Sequence, residues 1–319
     1  MKKLISILAA TTITLFALNQ YLTPPVIALL KALINEAPWL LIITSTLLVA
    51  VVQLLRAWRF KVMIDGQMAP PTLKLFQITS ILALMNLLLP FRLGELSFPI
   101  LMKRIYHFGI VRGMGTLMLV RVLDLLASTT LFAFSAWWLQ VEIVQIPPDF
   151  FLIIGLLGFL AFIFIPYVGT AASAKLKQLT QPWPKLSNLT DRMFHAANSI
   201  EANHHKMMVL LLTVAIWLSL LAIACAAAKA IIPPVDLVEG FFAGAAGSIS
   251  FALPVNGFAG IGLMQSAWAY ALNLVGHDWS CGIAAGILWN GILIIGSSFV
   301  AVIAAIPGTR SGRSYSNSD

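Results

Sequence analysis

The chain reads as an all-α, polytopic integral membrane protein with six full spans and two re-entrant helical hairpins arranged as an inverted repeat. Three observations predict this. Of 319 residues, 60% are hydrophobic and only 10% are charged, with a mean hydropathy of +0.92; a soluble domain carries about 25% charged residues. The apolar residues form continuous runs of about 20, the length of a helix that crosses the hydrocarbon core, not the alternating pattern of a transmembrane barrel. Two of the runs are broken by proline and glycine, at Leu89-Pro90 to Gly94 and at Leu253-Pro254 to Gly262.

Taken in order, Met1-Lys2-Lys3 and the run Leu4 to Leu18 resemble the start of a signal peptide, but no small-x-small cleavage site follows. A retained span over 4–22 is therefore expected, followed by full spans at 37–56, 114–140, 150–170, 207–231 and 281–306. The interrupted regions 75–102 and 238–275 are expected as hairpins, because broken backbone at membrane depth is tolerated only where protein or water lines it. Residues 1–140 then read span, span, hairpin, span, and residues 150–308 repeat that order. Three crossings per half invert the second half relative to the first. Paired broken segments in inverted halves point to a transport site near the midplane; chance recurrence of Leu-Pro is the plainer alternative.

Charge agrees with this topology. The net charge of +8 would suggest nucleic acid on a soluble protein, but here no nucleic-acid partner is expected, because the basic residues fall in loops. With a cytoplasmic N-terminus and both hairpins returning to the side they entered from, 16 of the 20 Lys and Arg are cytoplasmic, among them Arg56, Arg59, Lys103, Arg104, Arg310 and Arg313. Both termini are then cytoplasmic, in a bacterial inner membrane. The polar loop 172–206 contains Trp183, Phe194, His195, His204 and His205. It reads as an interfacial amphipathic helix and not a metal site, since the His pair is adjacent and no acid or Cys sits at ligand spacing. The Ser-rich tail 309–319 reads as disordered. Cys225 and Cys281 lie in apolar runs and read as small buried hydrophobes.

The chemistry-bearing residues concentrate in and beside the first break. Arg92 offers a planar fork suited to phosphate or carboxylate, and Glu95 lies three residues on. Arg121 and Asp124 repeat that spacing on the next span, where it shares one helix face. An ionised side chain at mid-bilayer costs roughly 3 kcal/mol or more, so these four residues either form a binding site or a structural ion-pair set that ties the hairpin to its neighbours. Gly257, Gly260 and Gly262 allow an unwound stretch whose amides face an anion, or close helix packing. Asn86, Asn256, Gln265, Asn273 and Asn290 either line the same cavity or make interhelical hydrogen bonds. No nucleophile–His–acid set, Walker loop or HExxH occurs, so neither catalysis, a cofactor nor ATP hydrolysis by this chain is expected.

The combination Asn86-x3-Pro90-x-Arg92-x-Gly94-Glu95, Arg121-x2-Asp124 and Pro254-Val-x-Gly257-x-Ala259-Gly260-x-Gly262 resembles the lysylphosphatidylglycerol synthase transmembrane-region family, also described as flippase-like. The resemblance covers roughly residues 1–308. In fused members it implies a domain that translocates an aminoacylated phospholipid made by a cytoplasmic synthetase domain. The present sequence shows no such synthetase domain, so aminoacyl transfer is not expected of it. The family commonly places a glutamate after the glycine motif, where this sequence has Gln265; a neutral amide cannot pair with a cationic headgroup as a carboxylate does, which leaves a different lipid open. The resulting expectation is a flippase for a phospholipid or a polyprenyl-phosphate-linked lipid. Its partners would be that anionic or polyprenyl-linked lipid and either an envelope-lipid enzyme or a second copy of the chain. A proton-coupled transporter of small solutes and a non-transporting scaffold for an envelope-lipid or glycan enzyme are the rival readings.

Overall fold

The computed structural model of the chain describes residues 2–36, 38–64, 70–106, 109–167, 203–253 and 255–305. Eleven α-helices run through them: α1 (Lys2–Tyr21), α2 (Pro24–Glu36), α3 (Trp39–Ile64), α4 (Thr72–Leu88), α5 (Ser97–Tyr106), α6 (Ile110–Trp138), α7 (Pro148–Phe164), α8 (Asn203–Ile231), α9 (Leu237–Ala252), α10 (Leu263–Leu274) and α11 (Trp279–Ala305). Tighter turns join α4 to α5 (Pro90–Leu96), extend α7 (Ile165–Tyr167) and lie between α9 and α10 (Phe258–Gly260). Among the described residues there is no strand, only an isolated bridge between Ile143 and Ile146.

Among the described residues five helices are long and apolar enough to cross a membrane: α3, α6, α7 with its extension, α8 and α11. A sixth crossing arises among the described residues if α1 and α2 count together, and these are bent by 81°. The expected span at 4–22 is thus followed by a second helix, α2, between it and the span expected from residue 37. Pro24 and Pro25 open it, in the first turn where a missing N–H breaks no helical hydrogen bond. Val26 anchors α2 on α11, in a cluster with Ile283 and Ala284. The expected span at 37–56 continues to Ile64, and the one at 207–231 starts at Asn203. His204 and His205 are therefore in the first turn of α8, their rings 4.2 Å apart. Residues 172–202 of the expected cytoplasmic loop, the tail 309–319 and Pro254 lie outside the described residues.

Helices in lipid gain little from burying apolar side chains against one another, so close fit must hold them together. Here α3 packs along α8, α4 and α3 pack against α11, and α9 and α8 pack against α6. Small residues allow the approach: a side chain on Gly244 of α9 would run into Ala224 of α8. Where α4 and α5 meet α3 and α6, Phe60 and Phe98 stack at 4.3 Å between ring centres in a fully buried cluster.

Both interrupted regions are helix–break–helix elements whose arms pack on each other. The two breaks begin alike. Leu89 (φ −86, ψ 137) and Leu253 (φ −76, ψ 138) each leave the helix in extended conformation, which is where the ring of a following proline pushes its predecessor. Each then carries left-handed residues, Phe91 (φ 54) and Arg92 (φ 56) in the first, Ala259 (φ 54), Gly260 (φ 67) and Gly262 (φ 139) in the second. For an L-residue this conformation costs roughly 1–2 kcal/mol, and it persists only where the surroundings fix it. In the first break Gly94 supplies the constraint. It lies so close to the α4 backbone at Met85 and Asn86 that no Cβ fits.

Candidate functional site

The two breaks meet. The amide of Phe91 donates to the Asn256 carbonyl at 3.3 Å. Arg92 Nη1 donates to the Ala252 carbonyl, also at 3.3 Å, and its guanidinium lies over the Phe251 ring, 5.5 Å from the centroid. Arg92 thus caps the orphan carbonyls at the C-terminus of α9, where a cation also complements the helix dipole. Its left-handed backbone aims the side chain across the junction.

Around that contact, Arg92, Glu95, Arg121 and Asp124 form one charged network. Arg92 Nη1 is 3.3 Å from Glu95 Oε1, and Arg121 Nε is 2.9 Å from the same oxygen. Arg121 Nη1 reaches Asp124 Oδ2 at 3.8 Å. The network extends to a residue that the sequence reading placed in a cytoplasmic segment. Arg59 of α3 grips Asp124 with both nitrogens, at 2.7 and 3.2 Å, and also donates to Thr213 Oγ1 at 3.0 Å. Arg59 is 1% exposed. Arg56, expected in the same segment, borders the cavity beside this network. These two assignments are corrected: both arginines belong to α3 and face protein.

The cavity has a volume of about 140 Å³ and opens between α3, α4, α6, α8, α9 and α11. Arg56, Asn86, Arg92, Arg121 and Asp124 supply its polar wall, with Gln53, Ser128, Ser248 and Ser297. Val49, Val52, Leu125, Ile216, Leu220, Phe251, Met264 and Leu293 supply an apolar one, and Trp217 and Trp289 complete it. A smaller void of about 30 Å³, bordered by Arg56, Arg59, Asn86, Arg121 and Asp124, adjoins it. Glu95 borders neither and acts behind Arg92 and Arg121.

The glycine-rich break does not face this cavity. Of the two readings for Asn256, Gly257, Gly260, Gly262 and Gln265, lining of the cavity is not what the structure has: Ser248, Phe251, Ala252 and Met264 line it from this hairpin. The reason is hydrogen bonding. The Gly257 amide is taken by the Ile261 carbonyl at 2.9 Å, and the Phe258 amide by Thr14 Oγ1 of α1 at 2.8 Å. Gln265 Oε1 accepts from the Gly262 amide at 2.9 Å and caps α10. The Tyr21 hydroxyl donates to the Gly262 carbonyl at 2.6 Å. Gly257 fits because a side chain there would collide with Thr14, and Gly260 lies against Asn290, whose amide donates to the Ala259 carbonyl at 2.6 Å. Asn256 is buried and donates to the Phe251 and Leu253 carbonyls, while Asn273 donates to the His277 carbonyl at the far end of the hairpin. With the Gly257, Phe258 and Gly262 amides taken, the break is held to α1 through Thr14 and Tyr21 and to α11 through Asn290. Among the described residues no cluster of three or more His, Cys, Asp or Glu could hold a metal ion.

Comparison with protein families finds one whose description is lysylphosphatidylglycerol synthase TM region, matching residues 4–301. The chain belongs to this family. It is a multi-pass membrane protein of the lysylphosphatidylglycerol synthase TM-region type. Comparison with curated proteins and with solved structures gave no match.

Within this family member, the residues that make the junction come from both motifs that carried the resemblance, but in different capacities. The Pro90–Glu95 motif supplies charge to the cavity, and the glycine motif supplies a rigid seat for the break. Sequence reasoning missed Arg56 and Arg59. Their spacing of three, matched to that of Arg92 with Glu95 and of Arg121 with Asp124, was the available signal.

Proposed function

We propose that this protein moves an anionic amphiphile, a phospholipid or a polyprenyl-phosphate-linked lipid, between the leaflets of the bacterial cytoplasmic membrane, as a transporter and not an enzyme. The observation that carries the reading is the cation-rich cavity at the junction of two broken helices. An unaided charged group faces a Born penalty of order 20 kcal/mol in hydrocarbon. A buried wall of fixed guanidiniums offsets that penalty for a phosphate, while the apolar wall suits the adjoining glycerol or prenyl carbons. Membership of a lysylphosphatidylglycerol synthase membrane-region family supports a lipid substrate.

The architecture in this proposal is two inverted halves, α1 to α6 and α7 to α11, with α4–α5 and α9–α10 as re-entrant hairpins and both termini cytoplasmic. The packing supports it. Under a two-fold relation that exchanges α3 with α8, α4 with α9 and α6 with α11, the contact of α4 with α11 maps onto that of α9 with α6, and α3 with α11 onto α8 with α6; all four occur. Rocking one half against the other around the fixed junction would give the cavity access to each leaflet in turn.

The test is leaflet exchange of a fluorescent anionic phospholipid in proteoliposomes, read by access of an added quencher. Arg92→Gln is expected to slow exchange about tenfold or more, the loss of one charge-assisted contact. An unchanged rate would overturn the assignment of Arg92. The scaffold reading has one observation in its favour, that Arg59, Arg92 and Arg121 all have protein partners; it predicts no protein-dependent exchange at all.

A further inference from the structure

The arginines at the junction are not equally committed. Arg59 is held by Asp124, and Arg92 and Arg121 share Glu95. Arg56 borders both the cavity and the adjoining void, and among the described residues it has no ion-pair partner. It lies in the field of Asp124 and, opposing that, in those of Arg121, Arg59 and Arg92. Three guanidiniums and one carboxylate line the cavity; with Arg59 and Glu95 behind them the count is four against two. Either way the site carries an excess of two positive charges. Buried charge without a counter-charge is strongly unfavourable, so the cavity calls for an anion.

A second observation bears on what that anion is. Four donors of lining residues make no hydrogen bond among the described residues: Arg92 Nε, Trp217 Nε1, Trp289 Nε1 and Arg121 Nε, the last in ion-pair contact with Glu95. Both indoles are more than nine-tenths buried. A terminal phosphate group carries close to two negative charges and three strongly accepting oxygens, matching the charge excess and the unused donors together. An amino-bearing headgroup finds no free carboxylate, because both carboxylates of the network are engaged by arginine and the open acceptors on the wall, Gln53 Oε1 and Asn86 Oδ1, are neutral amide oxygens.

We propose that Arg56 is the receiving cation for a terminal phosphate carrying two negative charges, and that the cavity selects such a group over a headgroup with amino groups. This rests on reading the cavity as the substrate site, and it narrows the substrate to phosphomonoester or diphosphate chemistry, whether on a lipid or as a free anion.

The test is native mass spectrometry of the full chain in detergent with an equimolar mixture of phosphatidic acid, phosphatidylglycerol and lysylphosphatidylglycerol. Phosphatidic acid is expected to be retained at least about tenfold over the lysyl lipid, and Arg56→Gln to remove about tenfold of that preference. Arg56→Lys, which keeps the charge, should retain most of it. Because Arg56 has no ion-pair partner among the described residues, neither substitution breaks an ion pair there. Displacement of the lipid by inorganic phosphate would support the site and extend it to free anions; no displacement would support it with the apolar part required. Equal retention of the lysyl lipid by the wild type, or an unchanged preference in Arg56→Gln, would overturn the proposal. Failure of leaflet exchange with the preference intact would count against transport alone. Loss of the preference with exchange intact would count against this inference alone.

Discussion

Asp124→Asn is the substitution whose effect the structure determines most closely. Asp124 accepts both terminal nitrogens of Arg59, at 2.7 and 3.2 Å, and lies 3.8 Å from Arg121. Arg59 is 1% exposed, and besides Asp124 it donates to Thr213 Oγ1. Removing one partner of such a pair leaves an uncompensated buried charge, which costs about 3–5 kcal/mol. The geometry is bidentate and buried, so the upper part of that range is expected. The assay is equilibrium unfolding of the purified protein in mixed micelles, with the double variant Arg59→Met/Asp124→Leu alongside. The double variant should recover most of the loss, because two apolar side chains of similar size replace the pair without stranding a charge. Wild-type stability in Asp124→Asn, or a double variant no better than the single one, would refute the reasoning.

Three further outcomes follow from the breaks. Gly94→Ala places a methyl group inside the α4 backbone at Met85 and Asn86; the first break must shift, with a loss of about 1–3 kcal/mol or more in the same unfolding assay. Ala259→Gly removes the penalty of a left-handed alanine (φ 54) and should stabilise by about 1 kcal/mol or less, since glycine's greater unfolded entropy offsets part of the gain. Tyr21→Phe removes one of the two donors to the Gly262 carbonyl, leaving the Gln265 amide, and removes the contact with Ser266; a loss of about 0.5–1.5 kcal/mol and faster proteolysis of α1 are expected.

What the sequence disclosed, and what it hid, follows from the range of each interaction. The helix ends at Leu89 and Leu253 were legible because a proline acts on its immediate neighbour. The grouping of Arg92, Glu95, Arg121 and Asp124 was legible because charge in an apolar run is expensive and the spacing of three recurs. Arg56 and Arg59 were hidden for the converse reason. They fall near the end of their hydrophobic run, beside Lys61, where basic residues ordinarily mark a cytoplasmic boundary. Only the fold brings α3 against α6 and α8 and so buries them. Helix α2 was hidden behind Pro24-Pro25, which reads equally as a turn and as a helix start. The glycines were recognised as permitting an unusual backbone, but Thr14, the acceptor of the neighbouring Phe258 amide, and Tyr21, the donor to the Gly262 carbonyl, lie on α1, more than 240 residues earlier in sequence. No local pattern distinguishes a break that binds an anion from one that seats on a distant helix.

The central claim is that the cavity beside the junction of the two breaks holds an anionic lipid through Arg92. The measurement that tests it most directly is identification of the lipid that copurifies with the wild-type protein and with Arg92→Gln. The account predicts one defined anionic lipid on the wild type that is lost from the variant. The same unselective mixture on both would contradict it and return Arg92 to a purely structural contact with the end of α9.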